Sequence, residues 1–205
     1  MIYVLDCETT GVAKTDQVIQ LATIKIPDRI EELKFAFVPA KEFSSLELRK
    51  HSPYFPSLII GNEYFNPTVK INPFAQKVHG LSKIKLCKYE TALNCKMPAN
   101  TRIIVAHNAP FDTRMLNITH LKSICTISLA KKIEKVQGGK FGFENYQLFT
   151  MFSFFYPELQ KQFMCDTHDA LSDCEMCLLV LLKLLEQFPF LATLTEVEEY
   201  FWSKK

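Results

Sequence analysis

Residues 2–10, IYVLDCETT, decide the reading of the fold. A short apolar run opens the chain as a strand, and two acids, Asp6 and Glu8, follow at its far end. Side chains alternate along a strand, so Asp6 and Glu8 point to one face, with Cα atoms roughly 7 Å apart, and Cys7 points to the other. Two carboxylates on one strand end repel each other unless a cation sits between them, and oxygen donors suit Mg²⁺ or Mn²⁺. Taken alone, the pair also reads as the solvated polar end of a strand.

Working outward, DQVIQLATIKI (16–26) has β-branched texture and stops at Pro27, which reads as a second strand. A third is expected either at KFAFV (34–38), ending at Pro39, or at EYF (63–65) inside an irregular insertion at about 41–66. TRIIVAHNAPFD (101–112) reads as strand, turn and helix, with Pro110 in a first helical turn where its missing N–H is harmless. SICTISLAKKIEKV (123–136) turns helical in its second half and stops at Gly138-Gly139. Further helices are expected over NYQLFTMFSFFY (145–156), up to Pro157, and DALSDCEMCLLVLLKLLEQF (169–188), up to Pro189. Thr195 and Glu198 stand at capping-box spacing, which predicts a short C-terminal helix at about 193–203. Strands first, then strands mixed with helices, argue for one α/β domain over residues 1–205.

The net charge of +2 neither demands nor excludes a polyanionic partner, so any electropositive surface must be local. Lys83, Lys85 and Lys88 form one such cluster, and Lys131, Lys132, Lys135 and Lys140 another; charge runs are also ordinary solvated faces. Seven scattered cysteines read as reduced thiols rather than a disulfide framework. MIYVL lacks the basic flank of a signal peptide, and CLLVLLKLL (177–185) is about half the length of a membrane span. The expectation is a soluble cytoplasmic protein with no membrane association.

Further acids strengthen the metal reading. Asp112 lies in the first turn of the helix after a buried strand, where strand ends and helix starts of α/β domains line one crevice. HDALSD (168–173) places His168 on the entry to the long helix and Asp173 one turn inside it, so both can approach one centre. A competing zinc reading takes Cys165, His168, Cys174 and Cys177 as ligands, although Cys174 and Cys177 fall inside an apolar helix where cysteine behaves as a small hydrophobe.

In this order and at these separations, DCETTG, HNAPFD and HDALSD resemble the three motifs of the DnaQ-like 3′–5′ exonucleases, in the branch whose third motif is H-x-A-x-x-D (DEDDh). INPFAQKVHGL (71–81) is also similar to the family, and VAHNAPFD followed by SICTISLAKKI looks like the exonuclease X type. The resemblance spans nearly the whole chain and implies a ribonuclease-H-like fold, a mixed five-stranded sheet with helices on both sides. It implies that Asp6, Glu8, Asp112 and Asp173 hold two divalent cations, Mg²⁺ or Mn²⁺, with His168 as general base and nucleoside 5′-monophosphates as products. Histidine titrates within reach of neutral pH, which suits that role.

With the same warrant, Thr9 and Thr10 would offer donors near a terminal 3′-OH, Ala75, His79 and Phe111 would flank the last base, and Asn108 would hold the loop or touch a phosphate. The implied partner is DNA with single-stranded or frayed 3′ ends, in repair; RNA trimming is the alternative, since nothing here reads a 2′-OH. A homodimer or a polymerase-associated subunit is compatible with the family. A non-catalytic end-binding module is the remaining rival, and loss of an acid, its usual mark, is not seen. Insertion at 41–66 departs from the family's tight hairpin and bears on substrate shape.

Overall fold

The computed structural model describes residues 1–38, 54–164 and 168–202. Its sheet is built from β1 (Ile2–Thr9), β2 (Val18–Ile26), β3 (Ile59–Tyr64), β4 (Ile103–Ala106) and β5 (Lys122–Cys125), in the spatial order β3-β2-β1-β4-β5. β1 runs antiparallel to β2 and parallel to β4; β2–β3 is antiparallel and β4–β5 parallel. The sheet is therefore mixed and five-stranded, as expected. β1 and β4 are central and covered on both faces, which is why IYVL and IIVA are continuously apolar.

The α-helices among the described residues are, in chain order, α1 (Ile30–Ala36), α2 (Pro73–His79), α3 (Lys83–Leu86), α4 (Ala109–Met115), α5 (Thr126–Gln137), α6 (Leu148–Phe155), α7 (Gln160–Phe163), α8 (Ala170–Leu185) and α9 (Leu194–Trp202), and alternation along β1 sorts those that cover the sheet. Ile2 and Val4 join Ile103 and Val105 in a large core with α5 (Thr126–Gln137), α6 (Leu148–Phe155) and α8 (Ala170–Leu185). Leu5 and Ile104 face the other way, against Ala109 of α4 (Ala109–Met115). Nearly every side chain of α8 is buried, each leucine contributing about 1.5–3 kcal/mol, so its greasy stretch is the core of the domain. Among the described residues no helix is long and apolar enough to cross a membrane.

Two expectations change. KFAFV is not a strand: α1 (Ile30–Ala36) takes in its first three residues. Ile30, Leu33 and Ala36 repeat at helical spacing and are buried, Glu31 and Glu32 favour the positive N-terminal turn, and Phe35 is left 80% exposed. The third strand is IIGNEY (59–64), the EYF alternative, lying within the expected insertion; residues 39–53 are outside those described. Gly61 pairs with Thr23, whose Oγ1 would lie 2.7 Å from any added Cβ, so a side chain there would force the Thr23 hydroxyl to move.

The second change concerns the last helix, α9 (Leu194–Trp202), which starts one residue inside the expected 193–203. Its capping box is Thr193 with Glu196, not Thr195 with Glu198: the Glu196 N–H donates to Thr193 Oγ1 at 3.1 Å and the Thr193 N–H to Glu196 Oε2 at 3.0 Å. Asp28 takes the Thr195 hydroxyl instead, at 2.8 Å, and Glu198 is paired with Lys122 at 2.6 Å. The Gly138 stop of α5 holds, with φ 67° in the left-handed region.

Candidate active site

Asp6 and Glu8 leave β1 on the face that α8 covers, opposite Ala22 and Gln20 of β2. A bulge between Glu8 and Thr9 then breaks the ladder and turns the chain away. Asp112 arrives from α4 at the end of β4, with Pro110 in the first turn. Asp173 arrives from the first turn of α8, and His168 from just before it. Oxygen atoms of Glu8 and Asp173 and a ring nitrogen of His168 lie within 4.8 Å of one another.

Burial is the main force on these carboxyls, and their mutual repulsion adds to it. Asp6 is raised well above the ordinary carboxylate range by burial and then by Asp112, Asp173, Glu8 and Asp169. Glu8 is raised to about 8, by burial and then by Asp173, Asp169 and Asp112. Asp112 and Asp173 are each raised to about 7, again chiefly by burial. The His168 backbone N–H donates to Asp173 and works against that rise. A concentrated set of carboxyls that hold protons to near neutrality is an all-oxygen donor set, with one imidazole at its lip, and it fits hard divalent cations.

Cys7 lies on the face that alternation along β1 predicts, and the surroundings add a contact. It does point away from Asp6 and Glu8, but α4 packs on that side, and the Cys7 thiol donates to Asp112 Oδ1 at 3.3 Å. Burial first, and the neighbouring acids second, push the Cys7 thiol well above its usual range, so it remains a donor.

The residues expected to meet substrate divide. The Thr9 hydroxyl donates to the Gly11 carbonyl at 2.6 Å, and the Thr10 hydroxyl to Asp16 Oδ1 at 2.8 Å, so both serve the β1–β2 turn. His79 ends α2 (Pro73–His79), with Nδ1 accepting the Leu81 N–H at 3.0 Å. Burial lowers its pKa, the Thr9 carbonyl opposes that, and nearby His168 lowers it further, which sets His79 beside the acidic centre. Ala75, one turn back on α2, is half-exposed. Phe111 packs on the cluster of Cys7, Val18, Leu21 and Phe65, with the Arg114 guanidinium 5.6 Å from its ring centre.

Asn108 is exposed and its side chain does not cap α4. It lines a cleft of about 630 Å³ beside Tyr146, Phe149, His168 and Asp173. His107 anchors the wall of that cleft through bonds of 2.8 Å to Thr126 Oγ1 and 2.8 Å to the Tyr146 carbonyl, and burial lowers it to about 4, keeping it neutral.

The other readings resolve locally. Cys174 and Cys177 are core thiols raised well above their usual range by burial, while His168 sits with Glu8 and Asp173; Cys165 is outside the described residues. Lys132 is a structural tie, donating to the Phe201 carbonyl with its Nζ 4.1 Å from the Trp202 ring centre. Lys131 lies over Tyr146 at 4.8 Å, and Lys85 donates to the Gly80 carbonyl at 3.1 Å.

Asp169 and Gln20 were not among the residues expected at the site. Asp169 caps α8, accepting the Ser172 N–H at 3.2 Å, and its charge acts on Asp6, Glu8 and Asp173. An acid immediately before an apolar helical run is a visible cap signal. The signal for Gln20 was a lone amide in an apolar strand buried on both faces.

No protein-family model and no curated protein matches this sequence. Solved structures do. Exonuclease X in complex with 5′ overhanging duplex DNA aligns with TM-score 0.61 at 17% identity, covering 97% of this chain and 99% of that one. The zinc-ion-bound E. coli exonuclease I–single-stranded DNA complex aligns with TM-score 0.61 at 13% identity, over 92% of this chain and 41% of that one. A further exonuclease I structure gives TM-score 0.59 at 14% identity, over 98% and 43%, so this chain spans less than half the length of exonuclease I. Strand order, pairing directions and these alignments together establish that the chain has the ribonuclease-H-like α/β fold of these exonucleases.

Proposed function

We propose that this protein is a metal-dependent 3′–5′ exonuclease that releases nucleoside 5′-monophosphates from the 3′ ends of DNA. One observation carries the reading: Asp6, Glu8, Asp112 and Asp173, from three distant stretches of chain, share one partly buried electrostatic cluster, Asp112 at its floor and His168 at its edge. DNA is favoured over RNA because exonuclease X, which matches along almost its whole length, is described with duplex DNA.

In this reading Asp6, Glu8, Asp112 and Asp173 hold two divalent cations. Such cations, when bound, supply a lowered pKa for an attacking water and neutralising charge at the departing 3′ oxygen. His168 would take a proton from the attacking water through a ring nitrogen, and the entry to α8 lets the imidazole approach from outside the acidic cluster. The four carboxyls would give up their protons when positive charge offsets their mutual repulsion. Asn108 and the cleft walls Tyr146 and Phe149 receive the chain upstream of the scissile bond, where stacking on aromatic rings tolerates any base. His107, held neutral, keeps that wall in register with α5.

Digestion of 3′-labelled single-stranded DNA, duplex DNA and RNA tests activity, polarity and substrate class together. The expected result is immediate release of labelled mononucleotide from DNA with Mg²⁺ or Mn²⁺, stopped by chelator. Internal cuts, 5′ release or activity indifferent to chelator would overturn the reading, and preference for RNA would overturn the substrate.

A further inference from the structure

We propose that Gln20 is a positioning residue, whose buried amide clamps the start of α8 and so sets the His168–Asp173 arm against Glu8. This rests on the exonuclease reading for its catalytic consequence. Gln20 is 1% exposed, in a strand whose neighbours Ile19 and Leu21 are core. The sheet register places it directly between Glu8 on β1 and Tyr64 on β3, and paired residues share a face.

From there the side chain leaves the sheet toward α8. Its Nε2 donates to Asp169 Oδ1 at 2.8 Å, and its Oε1 accepts the Ala170 N–H at 3.5 Å. Nε2 also lies 3.1 Å from Asn62 Oδ1 and 3.1 Å from the Tyr64 hydroxyl, which steady the amide from the β3 side. Both ends of the amide are thus engaged, and the loss of either leaves a buried polar group unmade.

The arm's geometry passes through Asp169. One of its carboxylate oxygens caps the helix at Ser172, and the other is tied to Gln20. Its carbonyl accepts the Asp173 N–H at 3.0 Å. His168, its neighbour in the chain, is held at φ 67°, where an ordinary side chain rarely sits. Tying Asp169 to β2 also fixes the place from which its charge acts on Glu8 and Asp173. A neutral amide suits this place: a lysine would compete with cations for Glu8, and a glutamate would repel both Glu8 and Asp169.

Three full-chain variants test the clamp: Gln20→Leu, Gln20→Glu, and Gln20→Glu combined with Asp169→Asn. The double variant keeps the charge count and reverses the hydrogen bond, with the new asparagine amide donating to the new carboxylate. Amide hydrogen exchange of the metal-free proteins and kcat and KM on 3′-labelled single-stranded DNA with Mg²⁺ are the readouts. Both single variants should speed exchange across residues 168–173 while β1 and β4 keep their protection. Their kcat should fall on the order of 10- to 100-fold through misplacement, with KM little changed. The double variant should return both readouts toward wild type, which a purely structural role would not predict. Unchanged exchange at 168–173 in Gln20→Leu, or a double variant whose exchange there is no slower than that of Gln20→Glu, which shares its repulsion with Glu8, would overturn the clamp. Should the wild-type chain release no nucleotide, the exonuclease reading falls, and the exchange comparison still decides the clamp.

Discussion

The Cys7 thiol donates to Asp112 Oδ1 at 3.3 Å, joining two residues that are 105 positions apart in the chain. Each side chain is buried, so the thiol is the side-chain donor that holds this carboxylate from behind, and its bond opposes the rise in the Asp112 pKa caused by burial. Cys7→Ala removes the donor and should shift the acid limb of the pH–rate profile to higher pH, with a stability loss of about 1–2 kcal/mol. Cys7→Ser keeps a donor and should leave that limb near its wild-type position. Profiles of kcat/KM for the two variants check this; identical profiles would show that the thiol only fills space.

Asp6 is raised by burial and by four neighbouring carboxyls. Asp6→Asn keeps its shape and removes the charge. Nuclease activity should fall at least about 100-fold, as expected when a preorganised electrostatic group is lost. The metal-free protein should melt at the same temperature or higher, because repulsion is relieved. Thermal unfolding in chelator beside an activity assay separates these effects, and a variant that is fully active would remove Asp6 from the metal site.

Local patterns carried the parts of the molecule that depend on local physics. β1 and β4 read as buried strands because both faces are covered, and α8 as a core helix because its apolar run is long and ends before Pro189. KFAFV misled because its apolar alternation overlaps the end of a helix whose buried positions Ile30 and Leu33 lie before it and whose buried Ala36 lies within it. Thr195 misled because Asp28, far away in the chain, claims its hydroxyl. Gln20 and Asp169 are separated by 149 positions, and only the antiparallel register of β2 beneath α8 makes them partners. The acids were legible as a set through their spacing and resemblance; the bonds that orient them are non-local and were not.

A pH dependence follows from the raised carboxyls. Glu8 at about 8, and Asp112 and Asp173 at about 7, bind protons in the folded state that unfolded carboxyls, with pKa near 4 (roughly), have already released. Their contribution to stability is whole below the unfolded pKa and is lost as pH rises through about 7 to 8. His107, lowered to about 4, has the opposite sign: its contribution is present above the ordinary histidine range and lost as pH falls. The interval from roughly pH 6.5 to 8 therefore isolates the carboxyls. In chelator the melting temperature should drop across it, and Mg²⁺ or Mn²⁺ should restore more at the upper end. A flat curve would mean that the acids are not a buried cluster.

His168 separates proton transfer from binding. A ring nitrogen lies within 4.8 Å of oxygen atoms of Glu8 and Asp173, yet the His168 side chain is exposed while those acids are partly buried. Removing a general base should lower turnover on the order of 10²- to 10⁴-fold. Removing a contact would instead raise KM. His168→Ala should thus lose kcat by that range while affinity for single-stranded DNA, measured with Ca²⁺ to suppress turnover, changes only a few-fold. Its backbone N–H still reaches Asp173, so the cluster of carboxyls should remain assembled and the Mn²⁺-induced rise in melting temperature should persist. Loss of that rise together with activity would instead make His168 a metal ligand, and the proton would need another acceptor.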